Sequence, residues 1–454
     1  MAKSNLLDLL NSYRGCFAFT TSELGKTSIV EMRIKLNDAA PVTYRPYRLS
    51  LSEREKVNSI INELLTNEII RESDSEYASP IILVSKKNGD LRLCVDYRAL
   101  NRKTIKDKYP MPLIEDQIDN LQGQRYFTTL DLTQGYHQIP MSEDSKHLTA
   151  FVTPDGHFEY NRMPFGLTNA LAVFQRMIHK LLNKHKIPGV MAYMDDIVIG
   201  AKTITEGIEK LHQVLNILRE ANLTLNLKKC HFFKTTIDYL GFEVSENGIR
   251  PGTRKTEAVL SFPTPRNPHE IRQFIGLASF FRKFIRNFAT IARPLTSLTK
   301  ANTPWTWGED QIKSFLKIKE ILTNRPVLAI YNPTYLTELH TDASQLGIGG
   351  MLLQKENEKS PLRAVAYYSR QTSVEEQHFH SYELETLAVV MSLNRFRVYL
   401  LGVQFKIVTD CNALRTALTK TDLVPRLQGG GFLFKISIFR SNIDLVRKCN
   451  MRTL

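Results

Sequence analysis

Hydrophobic positions recur along this chain with two periods, and the change from one to the other marks out its elements. Ser52 followed by Glu55 has the form of a helix-capping box. Behind it Val57, Ile60, Ile61, Leu64 and Leu65 fall on one helical face. Ahead of that helix, Pro41 to Ser50 reads as extended chain. Two β-type runs follow, SPIILVS and LRLCVDY, joined by KKNGD, in which Asn88-Gly89 suits the positive φ of a tight hairpin turn. Asn267, with Pro268 at the first helical position, predicts another helix. Its buried stripe runs through Ile271, Phe274, Ile275, Ala278, Phe281, Phe284, Ile285 and Phe288, interleaved with Arg272, Arg282, Lys283 and Arg286. Pro294 to Pro333 holds turn residues and both tryptophans, Trp305 and Trp307, and reads as a connector with modest structure. From Leu336 the pattern becomes strand-like in LTELHTDAS, GIGGMLLQ and RAVAYYS. A helix follows around His380 to Leu393, then FKIVTD. That β-β-β-α-β order predicts a separate α/β domain.

Composition narrows the class. At 454 residues, 43% hydrophobic and 23% charged, the chain is ordinary globular material with room for about two to four domains. No apolar run approaches the roughly 18 residues of a membrane span. Asp8 interrupts the apolar start, so no signal peptide is expected. Cys16, Cys94, Cys230, Cys411 and Cys449 are scattered without a CxxC pair, which argues against a zinc site or a disulfide framework. The 60 Lys plus Arg against 46 Asp plus Glu leave a net charge of +14, which favours polyanionic partners without proving one.

Two groups of carboxylates carry candidate chemistry. Asp131 closes the strand-like YFTTLD, and Asp195-Asp196 lie where two apolar runs meet in GVMAYMDDIVIGA. Taken alone, an Asp-Asp pair between strands is ordinary turn chemistry. Here adjacent carboxylates repel, and Val190, Met191, Ile197, Val198 and Ile199 are too apolar for a solvated surface hairpin. Divalent cations would neutralise the pair, and a third carboxylate on a neighbouring strand end would complete a two-metal site. The second group is Asp342 and Asp410, each at a strand end, with Glu383 and Glu385 on the helix between. Those two glutamates are two residues apart and point to roughly opposite faces, so only one can meet the aspartates.

YMDD at Tyr193–Asp196, LDLTQGYHQI around Asp131, RMPFGLTNA at Arg162–Ala170 and SPIILVSKKNGDLRLCVDYRALN together resemble a reverse transcriptase. The closest resemblance is to the Pol polyprotein of gypsy-type LTR retrotransposons, over about Pro41 to Pro425. This implies an α+β fold: a right-hand polymerase with fingers, palm and thumb, a connector, and an α/β ribonuclease H-like domain. The expected divisions are an extension over 1–50, fingers and palm over 51–250, thumb over 251–298, connector over 299–335 and ribonuclease H-like domain over 336–426. The resemblance makes Asp131, Asp195 and Asp196 the metal-binding catalytic triad and Tyr136 a steric gate against the ribose 2′-hydroxyl, with a core tyrosine as its alternative. Lys86 and Arg92 would hold the incoming triphosphate, a solvated basic hairpin being the alternative. Phe165 and Gly166 would lie under the nucleotide, and Leu240-Gly241 would grip the primer end. The basic residues after Pro268 would track phosphates, so binding should be salt-sensitive. In the second group the pattern selects Asp342, Glu385 and Asp410 as metal-binding catalytic residues. The implied cofactor is Mg²⁺, two ions per active site, with Mn²⁺ as a substitute. The implied partners are an RNA or DNA template-primer, an RNA–DNA hybrid and deoxynucleoside triphosphates, in the cytoplasm within retroelement particles and without a membrane.

The end of the chain departs from the pattern. After Pro425-Arg426 the family continues with a run like Ile-Ala-Arg-Trp-Trp, whereas this chain has Leu-Gln-Gly-Gly-Gly-Phe. Reading from the third base of each codon, the glycine codons permit Trp-Trp and the residues before them permit Ile-Ala-Arg. The expectation is therefore that 427–454 is an out-of-frame tail that forms neither the native last strand nor the last helix. The ribonuclease H-like domain would then lack its fourth carboxylate and be incomplete and inactive. The competing expectation is a decayed element product that binds nucleic acid without polymerising.

Overall fold

The computed structural model of the chain describes residues 2–38, 40–85, 91–409 and 443–447. It divides into two compact units, Met1–Thr235 and Thr236–Leu454.

In the first unit the helix Leu51–Thr66 is capped by Ser50, whose hydroxyl accepts from Glu53 N while the Glu53 carboxylate accepts from Ser50 N. The capping box thus precedes Ser52 and Glu55. Both pairs have the required spacing, and the extended backbone of Ser50 selects the earlier one. Val57 and Ile61 are buried, and Leu64 and Leu65 pack against the same core.

The strands of this unit are β1 (Ile70–Glu72), β2 (Ser79–Ser85), β3 (Leu91–Val95), β4 (Tyr126–Asp131), β5 (Phe151–Thr153), β6 (Gly156–Tyr160), β7 (Val190–Tyr193), β8 (Asp196–Ala201) and β9 (His231–Lys234). They form two sheets, in the orders β1-β6-β5-β2-β3 and β7-β8-β4-β9. The hairpin expected from SPIILVS and LRLCVDY is present as β2 and β3, paired from Ile81↔Val95 to Ser85↔Leu91. Its Asn88-Gly89 turn lies outside the described residues. Helix Ala170–His185 packs against β7, and helix Ile204–Glu220 against β8 and β4.

Residues 1–50 are more than an extension. A helix spans Ala2–Ser12, and Tyr13, Cys16, Phe17, Met32, Ile34 and Val42 enter the main core of the unit. The segment is tied on by backbone bonds from Ala18 N to Leu225 O and from Leu225 N to Cys16 O. Its irregular path explains why no periodicity announces it.

The second unit begins with an antiparallel meander of β10 (Thr236–Tyr239), β11 (Phe242–Ser245) and β12 (Gly248–Pro251). Helices Thr253–Leu260, Pro268–Ser279 and Glu309–Thr323 follow. Asn267 caps the second of these by accepting from Glu270 N. The aromatic stripe is buried at Ile271, Phe274, Ala278, Phe281, Phe284, Ile285 and Phe288. It does not lie on a single helix: the helix stops at Ser279 and the chain turns through Arg282–Phe284 before a short helix at Phe288–Ile291. The connector also carries more structure than its breakers suggest. Glu309–Thr323 buries Ser314, Phe315, Ile318 and Leu322, and the rings of Trp305 and Trp307 stack ahead of it.

The remaining strands are β13 (Leu336–Ser344), β14 (Gly347–Lys355), β15 (Arg363–Gln371), β16 (Phe405–Thr409) and β17 (Ile443–Arg447), with the helix Ser381–Arg395 between β15 and β16. Sheet order is β15-β14-β13-β16-β17, with β16 parallel to both β13 and β17. The outer edge at β15 is covered: Arg282 donates to Ser369 O, and Ala289 N donates to Ser369 Oγ. The expectation that the tail forms neither the native last strand nor the last helix meets a strand at this edge: Ile443–Arg447 pairs along β16 from Phe405↔Ile443 to Thr409↔Arg447. A short run with Ile443, Leu445 and Val446 has the propensity to satisfy the open backbone groups of that edge, whatever its origin. Among the described residues no helix is long and apolar enough to cross a membrane.

The N-terminal segment yields a stability prediction. Phe17 is 2% exposed within the first unit's core, so Phe17→Ala should destabilise that unit by about 3–5 kcal/mol. Chemical denaturation followed by circular dichroism should show an earlier first transition; an unchanged midpoint would mean the segment is not part of that core.

Candidate active site

Strand pairing in the first unit brings the first carboxylate group together. In the register of β4 and β8, Asp131 lies directly opposite Asp196, and Asp195 sits in the β7–β8 turn beside it. The turn is held in an uncommon conformation: Met194 has φ 57, and its N–H donates to the buried Gln175 Oε1 at 3.1 Å. Ile197, Val198 and Ile199 are fully or almost fully buried behind it. Desolvation by the packed sheet, then the charges of Asp195 and Asp131, push the Asp196 carboxyl up to about 6. Burial also raises Asp131, opposed by the Lys229 ammonium at 3.2 and 3.3 Å from its two oxygens. The donor set suits a hard divalent cation, since it is all carboxylate oxygen and its members repel one another. Among the described residues, no three His, Cys, Asp or Glu side chains stand close enough to form a finished metal cage.

The neighbouring cleft, about 1070 Å³, is lined by Arg92, Tyr136, Phe165, Asp195, Lys228 and Lys229 among others. Gln134 in a left-handed conformation turns the chain sharply after β4 into a short 3₁₀ turn at Gly135–Gln138. The Tyr136 ring lies 5.1 Å from Phe165 and 5.4 Å from Phe174. The Arg92 guanidinium lies 5.4 Å from the centre of the Phe165 ring. Gly166 has φ 93, a conformation that favours glycine, and Asn101 donates to its carbonyl at 2.8 Å. Lys86 lies outside the described residues. The cleft is also walled by Phe19, Thr20 and Thr21 from the N-terminal segment and by Glu63 from the capped helix, with Thr21 Oγ1 donating to Glu63.

Next to Phe165 lies His137, buried, stacked on Tyr160 and edge-on to Phe165. Its Nδ1 lies 3.2 Å from Met163 O and therefore carries the proton. Burial drives its pKa from 6.5 to about 4, so the ring is neutral at pH 7. His137, Gln175 and Lys229 were not singled out from sequence. His137 lies inside LDLTQGYHQI and could have been noticed, whereas Gln175 and Lys229 gain their meaning only from distant residues.

Leu240 and Gly241 form the β10–β11 turn of the second unit, with φ 52 and 86, and Gly252 N donates to Gly241 O. Nearby, Lys255 Nζ lies 3.4 Å from the centre of the Phe280 ring and Lys283 Nζ 4.5 Å from that of Phe242. Of the basic residues expected to track phosphates, Arg272 donates to Thr299 O and Arg282 to Ser369 O.

The second carboxylate group is represented by Asp342 on β13 and by Glu385, which accepts from Ala343 N at 3.3 Å. Glu383 instead accepts from His380 N at 2.9 Å and caps its own helix. The two glutamates thus diverge as their spacing requires. Asp410 lies outside the described residues.

Comparison with known proteins gives a consistent result. Residues 84–244 match the family described as reverse transcriptase (RNA-dependent DNA polymerase), and residues 307–407 match the RNase H-like domain found in reverse transcriptase. The retrovirus-related Pol polyprotein from transposon 297 of Drosophila melanogaster is 38% identical over 420 residues, covering 90% of this chain and 39% of that protein. The corresponding polyprotein from transposon opus is 36% identical over 460 residues, covering 98% and 45%. The Tf2-3 polyprotein of Schizosaccharomyces pombe is 35% identical over 412 residues, covering 89% and 31%. The chain spans less than half the length of these relatives. Among solved structures, a foamy viral protease-reverse transcriptase in complex with dsDNA has a TM-score of 0.87 at 23% identity, covering 100% of this chain and 94% of that one. The same viral protein in complex with an RNA/DNA hybrid has a TM-score of 0.77 at 23% identity, covering 100% and 61%.

The buried imidazole generates a pH prediction. The folded pKa of His137 is about 4 against an ordinary 6.5, so below pH 6.5 the unfolded chain binds a proton that the folded chain refuses. Stability is therefore full above about pH 6.5 and falls progressively toward pH 4, by roughly 2–3 kcal/mol. Replacing His137 with Phe should flatten this limb in denaturation curves recorded from pH 7 to pH 4.5. An equally steep loss in both proteins would remove His137 as its source.

Proposed function

The chain belongs to the reverse transcriptase–ribonuclease H region of the Pol polyproteins of gypsy-type LTR retrotransposons, and on that footing we propose that it is a template-directed DNA polymerase using RNA or DNA as template. The observation that carries this reading is the placement of Asp131 opposite Asp196, with Asp195 beside them, at the mouth of a cleft lined by Tyr136, Phe165 and Arg92. Asp131, Asp195 and Asp196 would hold divalent cations, Mg²⁺ or Mn²⁺, whose charge would favour ionisation of the primer 3′-hydroxyl and offset the leaving pyrophosphate. The remaining work falls to the protein's own side chains. Arg92 faces the triphosphate by charge. Tyr136, wedged between Phe165 and Phe174, narrows the sugar position and excludes a 2′-hydroxyl. Gly166 lets the backbone approach the base pair. Leu240-Gly241 would meet the primer end, and phosphate contacts would make binding salt-sensitive. Action in the cytoplasm within element particles is part of the same proposal.

For the second carboxylate group we propose a ribonuclease H site that is inactive in this chain. Asp342 and Glu385 occupy suitable elements, yet the tail offers no Asp following a His where the family pattern requires its fourth carboxylate. Strand β17 may be supplied by any chain of suitable propensity; a metal ligand may not.

Two assays test these readings. With Mg²⁺ and a primed RNA template the protein should extend the primer, and Asp195→Asn should reduce the rate by about a thousandfold or more. No extension from a soluble sample that binds the hybrid would favour a decayed, binding-only product. On a labelled RNA–DNA hybrid, RNA-strand hydrolysis should be absent or nearly so. Efficient cleavage abolished by Asp342→Asn would overturn the inactive reading, and third bases in the coding DNA incompatible with the shifted frame would overturn its explanation.

A further inference from the structure

Lys229 stands where the polymerase reading wants a metal. It ends the turn Leu227–Lys229 just before β9, and its backbone is anchored: Asn226 N donates to Asp131 O, and Lys229 N donates to Asn226 O. From that base the ammonium reaches both Asp131 oxygens, at 3.2 and 3.3 Å. Among the described residues this is the ion pair made by any of the three palm carboxylates. Its two ends differ sharply. The Lys229 side chain is 64% exposed, while that of Asp131 is 19% exposed. A largely solvated arm therefore covers a largely buried carboxylate.

We propose that Lys229 is the resident counter-ion of Asp131, with which a divalent cation must compete for that carboxylate. The inference rests on the polymerase reading and adds a positioning residue to it. A divalent cation on Asp131 and the ammonium at 3.2 Å are like charges drawing on the same two oxygens, so the two occupants compete. Exposed lysine–carboxylate pairs are weak, whereas a divalent ion carries twice the charge of the ammonium. Displacement is thus favourable, and the pair lowers metal affinity only modestly. The freed ammonium returns to the cleft it already lines with Arg92 and Lys228, where it adds positive charge opposite an incoming polyphosphate. The same pair limits the repulsion between Asp131 and Asp196.

The test measures metal binding without catalysis. Free Mn²⁺ is titrated by electron paramagnetic resonance against the full chain, without nucleotide or nucleic acid, for the wild type, Lys229→Met, Lys229→Arg, Asp131→Asn and the Lys229→Met/Asp131→Asn double variant. The Asp131-dependent binding should tighten about three- to tenfold in Lys229→Met and stay near wild type in Lys229→Arg. Lys229→Met should add nothing in the Asp131→Asn background. The difference should also shrink at high salt, as expected for a solvated pair. Unchanged or weaker Asp131-dependent binding in Lys229→Met overturns the counter-ion role while leaving the polymerase site standing. Absence of Asp131-dependent binding in every protein overturns the metal site and the counter-ion with it.

Discussion

The first unit is organised around a repulsion. Pairing β4 with β8 sets Asp131 against Asp196, and the turn adds Asp195. Like charges directly opposed across a sheet are unfavourable, and here the strands behind them are packed apolar chain that cannot relax. The neighbourhood answers that strain. Gln175 secures the left-handed Met194, helix Ala170–His185 backs the hairpin, and Lys229 supplies the available positive charge. These contacts offset the repulsion without removing it, and burial still holds the Asp196 carboxyl up at about 6.

The cleft beside them follows a different rule. Tyr136, Phe165, Phe174, His137 and Tyr160 form a chain of ring contacts. His137 can belong to it only as a neutral ring, because a charge there would have no counter-ion within the stack. The N-terminal segment closes the far wall, with Thr21 bonded to Glu63, so part of the chain with no recognisable pattern shapes the cleft.

In the second unit, backbone satisfaction dominates. One sheet edge, at β15, is covered by the turns around Arg282 and Ala289. The other, at β16, accepts Ile443–Arg447. A strand edge asks for backbone donors and acceptors and for modest propensity, not for a particular sequence.

Much of this protein could be read from its sequence. The hairpin of β2 and β3, the Asn267 cap, the β-β-β-α-β order and the positions of Asp131, Asp195 and Asp196 all follow from period, capping chemistry and motif. These are local properties, and the residues that determine them are neighbours in the chain. Tertiary structure decided what local rules leave degenerate or silent. It chose Ser50 over Ser52 as cap, split the aromatic stripe at Ser279, and separated Glu383, spent on its own helix end, from Glu385. It also drew residues 1–50 into the core and brought Lys229 to Asp131 and Gln175 to Met194. Each of those outcomes depends on groups far apart in sequence competing for the same buried space or the same charge, and no window along the chain contains both competitors.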